Sequence, residues 1–421
     1  MTLPESERHP AFAGSEEVIA PLPRITLQAF CETPAVAAAM QAVVADRRMD
    51  KAHARIQMGG PAAAVEAFRA APTPNIIVLE TVSDPATLVA NLDALSESCD
   101  AGTKVVVIGH VNDVQLYRDL IRRGVSEYLI APLETLDVLR TLSELYVSAE
   151  ARNLGRIIAV TGAKGGVGAS TVAHNIAWAI AGGLGASTVV VDLDIAFGTA
   201  GLNFNQDPPQ GIAEAIFAPE RLDANLLDRL LSRCSDNLAL LAAPAMLDRT
   251  IDLGEDALEQ LLDLLRSSVP CIVLDVPHQW SAWVKRTMLG ADEILIVAEP
   301  ELASLRNAKN FVDLARAARP NDAGARLVLN KVGVPKRPEI APPEFAKTLG
   351  IEVLSTIPFE AQLFGTAANN GQMIAEVQAG SKANEAFAQI AGTLTGRGET
   401  RRCRRSLLEP LVSKLKRRKA S

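Results

Sequence analysis

A short glycine-rich segment lies between a strand-like run and a helical pattern, and it restricts the possible folds more than any other feature. The strand-like run is Arg156–Thr161, and four of the next seven residues are glycines: Gly162, Gly165, Gly166 and Gly168. Glycines at this spacing let the backbone curl, so that successive N–H groups point inward where the helix begins. This arrangement predicts an α/β fold in which the turn binds a di- or triphosphate.

Strand-like apolar runs alternate with helical patterns along most of the chain. The alternation predicts two doubly wound α/β domains, a smaller one over residues 24–150 and a larger, mostly parallel one over residues 151–396. Four strands are predicted in the smaller domain, at residues 24–31, 75–80, 104–109 and 127–130. Seven strands are predicted in the larger domain, at residues 156–161, 188–193, 238–242, 271–275, 294–298, 326–329 and 353–357. Residues 1–23 hold four prolines and few large apolar side chains, which predicts a disordered leader.

The charge of the chain is unevenly distributed. The whole sequence carries −7, but residues 397–421 hold ten basic and two acidic residues and so carry +8. An acidic body argues against a protein that coats nucleic acid with its whole surface. Any contact with an anionic partner is therefore expected to be made by this basic tail.

The basic tail also contains a regular apolar pattern. Residues 407, 408, 411, 412 and 415 are apolar and would line one face of a helix, beside basic residues. This pattern favours peripheral contact of residues 401–419 with an anionic membrane surface, and a solvated tail is the alternative. DNA binding is not favoured, because the tail has no aromatic or base-reading pattern.

The cysteine pattern and the hydropathy of the sequence indicate in which cellular compartment the protein is expected. Five scattered cysteines, with no C-x-x-C spacing and no nearby histidine pair, exclude a disulfide framework and give no zinc-site pattern. Residues 1–17 lack an apolar segment, so no signal peptide is predicted. No run of 18 apolar residues is present, and no membrane span is predicted. We therefore expect a cytoplasmic protein with reduced thiols.

The glycine-rich turn matches the P-loop pattern G-x-x-x-x-G-K-[ST] at all but one position. Gly162, Gly168 and Ser170 match, whereas Ala169 stands where the pattern has its lysine. A different lysine, Lys164, lies inside the loop. The residues expected to contact the phosphates are Gly162, Lys164, Gly165, Gly166, Val167, Gly168, Ala169, Ser170 and Thr171.

A dehydrogenase is the rival interpretation of this turn. Residues 161–168 also fit the T-G-x-x-x-G-x-G turn of short-chain dehydrogenases. Those enzymes need a Tyr-x-x-x-Lys after the turn, and all three tyrosines of this chain (Tyr117, Tyr128 and Tyr146) precede it. The dehydrogenase interpretation therefore lacks its catalytic acid.

The pattern K-G-G-x-G-x-[ST]-T resembles the deviant P-loop of the MinD/ParA/NifH ATPases. That resemblance implies that Lys164 reaches across a dimer interface to the partner's nucleotide. It also implies that Asp192 helps to orient the attacking water and that Asn330 contacts the adenine edge. Asp194 is expected to support Asp192 or to cap the following turn.

The segment Cys271–Pro277 looks like a Walker B strand, because four apolar residues would bury the strand and a carboxylate, Asp275, follows at its tip. Asp275 would hold Mg²⁺ through water, and Ser170 would ligate the ion directly. A P-loop lysine normally places a cation on the β- and γ-phosphates, and Ala169 removes that donor. We therefore expect ATP binding with slow hydrolysis.

The smaller domain resembles a response-regulator receiver in its order of strands and helices. Glu80 or Thr81 occupies the region where that family has its phosphoacceptor Asp, His110 follows the fourth strand, and Ala131 replaces the usual lysine before Pro132. We infer an atypical receiver-like (flavodoxin-like) domain used for dimerisation or docking. An unrelated flavodoxin-like domain is the alternative.

A degenerate receiver followed by a MinD/ParA-like P-loop NTPase domain resembles the CpaE/TadZ family over about residues 24–395. The stretches Lys164–Asn175 and Asp192–Gly201 look particularly similar. The resemblance implies a localisation and assembly factor of the tight-adherence (Flp-type) pilus secretion system. It further implies placement at a cell pole, peripheral to the inner membrane.

Together these patterns predict an ATP-binding switch that forms a homodimer when ATP binds and that positions or assembles pilus-secretion proteins. ATP and Mg²⁺ are the expected cofactors, and weak ATPase activity is the expected reaction. A ParA-type DNA partition ATPase and a MinD-type septum-site ATPase are alternatives. A non-hydrolysing nucleotide-binding scaffold is another.

Overall fold

Two compact units make up the described part of the chain. The computed structural model describes residues 19–146, 154–244 and 254–396. One unit comprises the first of these ranges and the other comprises the second and third. The predicted tail at 397–421 and most of the predicted leader at 1–23 lie outside the described residues.

The N-terminal unit is a five-stranded parallel sheet in the order β2-β1-β3-β4-β5. Its strands are β1 (Thr26–Cys31), β2 (His53–Met58), β3 (Ile76–Glu80), β4 (Lys104–Gly109) and β5 (Glu127–Ile130). Its helices are α1 (Pro34–Val44), α2 (Gly60–Phe68), α3 (Pro85–Ser96), α4 (Val114–Arg122) and α5 (Thr135–Glu144). Separate apolar clusters cover the two faces of the sheet, which explains why β3 is buried at every residue.

The N-terminal unit differs from the sequence-based expectation at two places. Part of the predicted leader is packed: Leu22 is fully buried and its N–H donates to the carbonyl of Arg48 at 2.9 Å. The disordered leader therefore cannot extend to residue 23, because Leu22 fills the core beside β1. The sequence analysis also missed β2, an edge strand whose residues are half-buried or exposed and so lack an apolar run.

The second unit has an eight-stranded sheet in the order β13-β12-β11-β6-β10-β7-β9-β8. Its strands are β6 (Arg156–Gly162), β7 (Thr188–Asp192), β8 (Ser232–Arg233), β9 (Leu238–Leu241), β10 (Cys271–Asp275), β11 (Glu293–Ala298), β12 (Arg326–Val332) and β13 (Val353–Pro358). Its helices are α6 (Ala169–Trp178), α7 (Ala200–Asn203), α8 (Ile212–Phe217), α9 (Ala224–Leu230), α10 (Glu255–Ser268), α11 (Ala282–Gly290), α12 (Leu302–Ala318), α13 (Pro342–Leu349), α14 (Ala361–Asn370), α15 (Ile374–Gln378) and α16 (Lys382–Leu394).

The central strand of this sheet, β6, is buried on both faces. In β6, Ile157 and Ala159 belong to one apolar cluster, while Ile158 and Val160 belong to the cluster on the opposite face. A strand covered on both sides reads as a continuous apolar run, which is how β6 was recognised. Because β6 pairs in parallel with β10 and β11, the carboxyl ends of all three strands lie at the same edge of the sheet.

The α/β class and the mostly parallel sheets confirm the predicted fold. All seven predicted strands of the larger unit are present, and a two-residue strand, β8, adds an antiparallel edge that was not predicted. The helix after the glycine-rich turn starts at Ala169 and widens into a π-turn over 179–183. Within the described ranges, no helix has both the length and the hydropathy needed to cross a bilayer.

Candidate nucleotide-binding site

The glycine-rich turn leaves β6 at Gly162 and enters α6 at Ala169. Gly166 and Gly168 have φ values of +81° and +85°, in the left-handed region that favours glycine. A Cβ on Gly168 would also lie 2.6 Å from Nδ2 of Asn330. The turn therefore needs glycine at 168 both for its conformation and for the close approach of Asn330.

Four side chains from neighbouring strand ends and helices hold the carbonyl groups of this turn. The pairs are His278 Nδ1 with Gly162 O at 2.9 Å, Asn307 Nδ2 with Ala163 O at 2.8 Å, Lys331 Nζ with Gly166 O at 2.5 Å, and Asn330 Nδ2 with Val167 O at 2.8 Å. In a trans peptide the C=O of one residue and the N–H of the next point in opposite directions. Fixing these carbonyls therefore fixes the directions of the following N–H groups.

The start of α6 adds unpaired donors to the same turn. The first helical hydrogen bond is donated by Val172 to the Gly168 carbonyl at 3.0 Å, so the N–H groups of residues 169–171 have no acceptor inside the helix. A Cβ at Gly165 or Gly166 would meet no atom within 4 Å, which leaves space beside the turn. Oriented donors, a helix N-terminus and open space fit a bound polyphosphate.

Lys164 does not approach the interior of the turn. Its ammonium forms an ion pair with Glu301, the N-cap residue of α12, and both side chains are about one-third exposed. This hydrogen bond raises the pKa of Lys164, so the ammonium stays charged. Within a single chain, Lys164 is thus held at the protein surface beside the turn.

Two buried carboxylates close neighbouring strands at the same edge of the sheet. Asp192 ends β7 and Asp275 ends β10, and they are register partners. Asp192 accepts hydrogen bonds from the N–H groups of Asp194 and Ala200, each at 3.1 Å. Burial and the neighbouring Asp275 raise the pKa of Asp192 to about 7. The site is therefore short of positive charge.

A histidine that the sequence analysis did not single out contacts this acidic pair. His174, in α6, is fully buried, and its Nε2 lies 3.2 Å from Oδ2 of Asp275. Its Nδ1 lies 3.1 Å from Nδ2 of Asn203, which can only donate. Nδ1 is therefore the acceptor and Nε2 carries a proton, but the geometry toward Asp275 is a close contact and not a hydrogen bond, so Nε2 is buried without a hydrogen-bond partner.

The oxygen side chains of the site fit Mg²⁺ only in company with a phosphate. Ser170 lies in the first turn of α6, and Asp275 supplies a carboxylate from β10. Among the described residues, no group of three His, Cys, Asp or Glu side chains could hold a metal ion by itself. Mg²⁺ commonly combines one or two protein oxygens with water and phosphate oxygens, so this donor set suits the ion of a magnesium nucleotide.

A cavity of about 590 Å³ lies beside the turn, between α12 and the loop after β10. Its floor includes Ala163, and its walls include Trp280 and Phe311, whose rings meet edge to face with centroids 5.2 Å apart. His278 and Asn307, which hold two carbonyls of the turn, also line it. The cavity and the turn thus share two side chains.

Comparisons with known proteins connect this site to a family of ATPases. A family model described as an AAA domain matches residues 155–321. The septum site-determining protein MinD of Helicobacter pylori is 26% identical over 253 residues, which cover 57% of this chain and 90% of that protein. The solved cell division ATPase MinD of Pyrococcus furiosus is 25% identical with a TM-score of 0.50, covering 56% of this chain and 97% of its own.

A second solved structure is related more strongly in sequence. The pilus assembly protein CpaE of Caulobacter crescentus is 46% identical to this chain, covering 31% of this chain and 98% of that protein, with a TM-score of 0.30. The relationship is inferred from the sequence identity, which extends over almost the whole length of that protein. The chain belongs to the CpaE family of MinD/ParA-superfamily ATPases. The predicted CpaE-type resemblance is thereby confirmed.

The geometry of this CpaE-family chain brings most of the predicted site residues together. Residues 162–168 form the turn and residues 169–171 begin α6, while Asp192, Asp275 and Asn330 come from strand ends at the same sheet edge. Asn330 donates to the turn itself, and its predicted contact with adenine stays a prediction. The carboxylate of Asp194 accepts from the N–H of Phe197 at 3.1 Å, which is turn capping.

Sequence reasoning missed five residues that shape the site of this CpaE-family member: His174, His278, Glu301, Asn307 and Lys331. His174 is adjacent in sequence to Asn175 in a stretch already recognised as family-like, so it offered a signal. His278 and Glu301 each come three residues after the end of a recognised strand, where ligands usually bind. Asn307 gave no signal, because a helical asparagine is ordinary on a solvated face.

Proposed function

We propose that this CpaE-family chain binds ATP with Mg²⁺ at the glycine-rich turn and uses the bound nucleotide to drive dimerisation. The observation that carries the proposal is the set of four side chains that hold the carbonyls of the turn, while the N–H groups at the start of α6 stay unpaired. A turn built in this way attracts a polyphosphate. Its neighbours supply oxygen ligands for Mg²⁺.

Each residue of the site has a proposed task. The N–H groups of residues 165–171 would bind the phosphates, and Ser170 would ligate Mg²⁺ directly. Asp275 would hold the ion through water, and Asp192 would orient the attacking water. Bound Mg²⁺ would offset the charge of the phosphates, and it would also relieve the repulsion between the two buried carboxylates.

Ala169 supports slow hydrolysis. The customary lysine at this position would place a charged hydrogen-bond donor on the phosphates, and such a bond contributes about 1.5–3 kcal/mol. Its loss weakens binding without abolishing it, whereas contacts made in the transition state are costlier to lose. A slow ATPase remains in the ATP-bound state for longer, which suits a switch.

Exposed apolar side chains support dimerisation through the same edge of the sheet. Five of them follow the carboxyl ends of strands around the turn: Phe197 (69% exposed), Leu202 (73%), Trp280 (53%), Leu302 (74%) and Phe359 (38%). A cluster of exposed apolar residues beside a charged pair is typical of a protein interaction surface. In a face-to-face dimer, Lys164 would exchange Glu301 for a phosphate of the partner's nucleotide.

The pilus-related role is proposed from the CpaE relationship. The 46% identity to a pilus assembly protein supports a task in positioning or assembling pilus-secretion components. Placement at a cell pole, in the cytoplasm and at the inner membrane, belongs to the same proposal. Membrane contact would be made by residues 401–419, which lie outside the described residues, and DNA is not a proposed partner.

The decisive experiment is a titration of the full chain with Mg-ATP, followed by light scattering for size and by calorimetry for binding. We expect ATP to promote a dimer and Lys164→Ala to weaken it. Lys347→Ala is the matched control, because Lys347 is exposed in the last turn of α13, at the opposite edge of the sheet. An unchanged dimer in Lys164→Ala would remove the proposed contact across the interface. The absence of nucleotide binding at millimolar ATP would overturn the whole proposal.

A non-hydrolysing scaffold is a second candidate, and Ala169 is the observation that favours it. In that case the turn would only stabilise the fold, stability and oligomeric state would be the same with and without Mg-ATP, and phosphate release would not exceed the background without protein. Measuring phosphate release beside dimerisation separates the two candidates.

A further inference from the structure

Two consecutive residues at the end of β12 reach the same turn. In a regular strand, successive side chains point to opposite faces of the sheet, so Asn330 and Lys331 should not be able to do this. Lys331 has a φ of +53°, and the register of β12 with β13 shifts between Leu329 and Val332. This irregularity directs the side chains of both residues onto neighbouring carbonyls, those of Val167 and Gly166.

The conformation of Lys331 is unfavourable for any residue with a Cβ. Left-handed φ values are uncommon outside glycine, asparagine and aspartate, and strained residues of this kind cluster at ligand sites. Glycine would fit this backbone position without strain. A lysine at this position therefore costs conformational free energy, and the contacts made by its side chain offset that cost.

Other groups hold the Lys331 ammonium in place. Nζ is 2.9 Å from Oε1 of Glu299, whose other oxygen accepts from Nη1 of Arg337 at 2.7 Å. Nη2 of Arg337 donates to the backbone carbonyl of Lys331 at 2.6 Å. Burial alone would raise the pKa of Glu299, but its hydrogen bond with Lys331 and the surrounding cations lower it. The carboxylate is thus kept charged beside Lys331.

We infer that Lys331 is a positioning residue that sets the affinity of the turn for phosphate. Its bond to the Gly166 carbonyl turns this oxygen away from the cradle, and the trans peptide then directs the Val167 N–H into the cradle. A carbonyl turned inward would repel phosphate oxygens and remove a donor. In a chain with Ala169 in place of the usual lysine, the remaining backbone donors carry more of the binding. This inference rests on the proposed nucleotide binding.

The test compares Lys331→Met with Lys336→Met in the full chain. Lys336 is a matched control, because it also has a left-handed φ (+63°), lies in the following loop and is exposed. Calorimetric titrations would use Mg-ATP, Mg-ADP and inorganic pyrophosphate, the last of which probes the cradle without a base. We expect Lys331→Met to weaken all three by about tenfold, as for the loss of one charged hydrogen bond. Lys336→Met should change none.

A second measurement needs no ligand. The backbone amide NMR signals of residues 166–168 in the nucleotide-free protein should shift in Lys331→Met, and Lys331→Arg should restore them in part; unchanged signals in Lys331→Met would overturn the positioning role. If Lys331→Met unfolds, Lys331→Gln is the substitute, with folding checked by thermal denaturation.

The outcomes separate this inference from the proposed function. If the parent chain binds no nucleotide, the proposed function fails. If the parent binds and Lys331→Met binds pyrophosphate and nucleotides equally well, the positioning role is overturned and the proposed function stands. Equal loss in Lys331→Met and Lys336→Met would also overturn it, because the effect would then come from the loop backbone.

Discussion

The carboxylates of Asp192 and Asp275 end adjacent parallel strands at positions that are register partners, and both are buried. Two acidic groups in such an arrangement disfavour each other's ionisation, and accordingly the pKa of Asp192 is raised to about 7. The folded, nucleotide-free protein therefore holds an unfavourable pair of charges where Mg²⁺ is proposed to act.

Replacing Asp275 by asparagine should stabilise the empty protein and impair its response to nucleotide. Removal of one buried charge relieves the repulsion, and a gain of about 1 kcal/mol corresponds to roughly 2–4 °C in Tm. The rise in Tm on adding Mg-ATP should shrink, because a proposed Mg²⁺ ligand is gone. Differential scanning fluorimetry with and without Mg-ATP measures both effects. Asp137→Asn, at an exposed ion pair of the N-terminal unit, is the control. An undiminished response to Mg-ATP in Asp275→Asn would contradict the proposed role.

Glu301→Gln should shift dimerisation to lower ATP concentration. The substitution removes the ion-pair partner that holds Lys164 within its own chain. Because both side chains are partly exposed, the pair contributes only about 0.2–1 kcal/mol, so the shift should stay below about fivefold. Sedimentation velocity across an ATP series measures it. Glu344→Gln, on the exposed surface of α13, should leave the midpoint unchanged. A higher midpoint in Glu301→Gln would mean that Glu301 itself serves the interface.

Ala169→Lys should accelerate hydrolysis. The new side chain supplies the charged donor that the P-loop pattern has at this position, and its transition-state contribution of about 1.5–3 kcal/mol corresponds to roughly a 10- to 150-fold increase in rate. Phosphate release under saturating Mg-ATP gives the rate. Ala169→Gln separates charge from side-chain length, and it should remain close to the parent. Equal rates in the lysine and glutamine variants would exclude a missing cation as the cause of slow turnover.

Glu80 should make the N-terminal unit sensitive to acid. Its buried carboxylate accepts from the N–H groups of Glu32 and Thr33 at 2.7 and 2.8 Å and from the Thr33 hydroxyl at 2.6 Å, and it lies 3.0 Å from Nε2 of His110. Burial opposes ionisation, but these hydrogen bonds keep the pKa of Glu80 below its ordinary value of 4.5. A carboxyl shifted in this direction stabilises the fold above its unfolded pKa and loses that contribution as the pH falls toward its folded pKa.

Glu80→Gln is therefore expected to lower the free energy of unfolding at pH 7 by about 1–3 kcal/mol and to flatten its decline below pH 5. Both N–H groups bond to the same oxygen, Oε2, which the amide oxygen can replace, but the amide nitrogen then stands where Oε1 was and cannot accept from the Thr33 hydroxyl or from Nε2 of His110. Urea denaturation at pH 7 and pH 4 measures the change. Glu97→Gln, at an exposed helix end, is the charge control. An unchanged pH dependence in Glu80→Gln would mean that other carboxyls dominate acid unfolding.

The sequence predicted the fold best where burial requires a run of apolar residues or where the backbone conformation requires glycine. Buried strands such as β6 and β10 are continuous apolar runs, and Gly166 and Gly168 of the turn are required by their left-handed φ values. The edge strand β2 was missed because His53–Met58 is not buried on both faces and so has no run to detect. Leu22 was assigned to the leader because two flanking prolines concealed one core residue.

The sequence predicts the turn and the residues at the strand ends of the site, but not the side chains that bond to the carbonyls of the turn. Residues at strand ends, such as Asp192 and Asp275, follow from the rule that ligands bind at the carboxyl edge of a parallel sheet. Lys331 could not be predicted, because a regular strand would turn its side chain away from Asn330. Asn307 could not be predicted either, because its contact with Ala163 depends on how α12 packs against the turn.

His278, whose ring bonds to the carbonyl of Gly162, lies two residues before Trp280, a half-exposed residue that lines the 590 Å³ cavity. Asn307, on another wall of the cavity, donates a hydrogen bond to the carbonyl of Ala163. A molecule that displaced either wall would therefore remove a contact that holds the glycine-rich turn. If the turn binds nucleotide as proposed, a ligand of this cavity would change the nucleotide affinity without entering the nucleotide pocket.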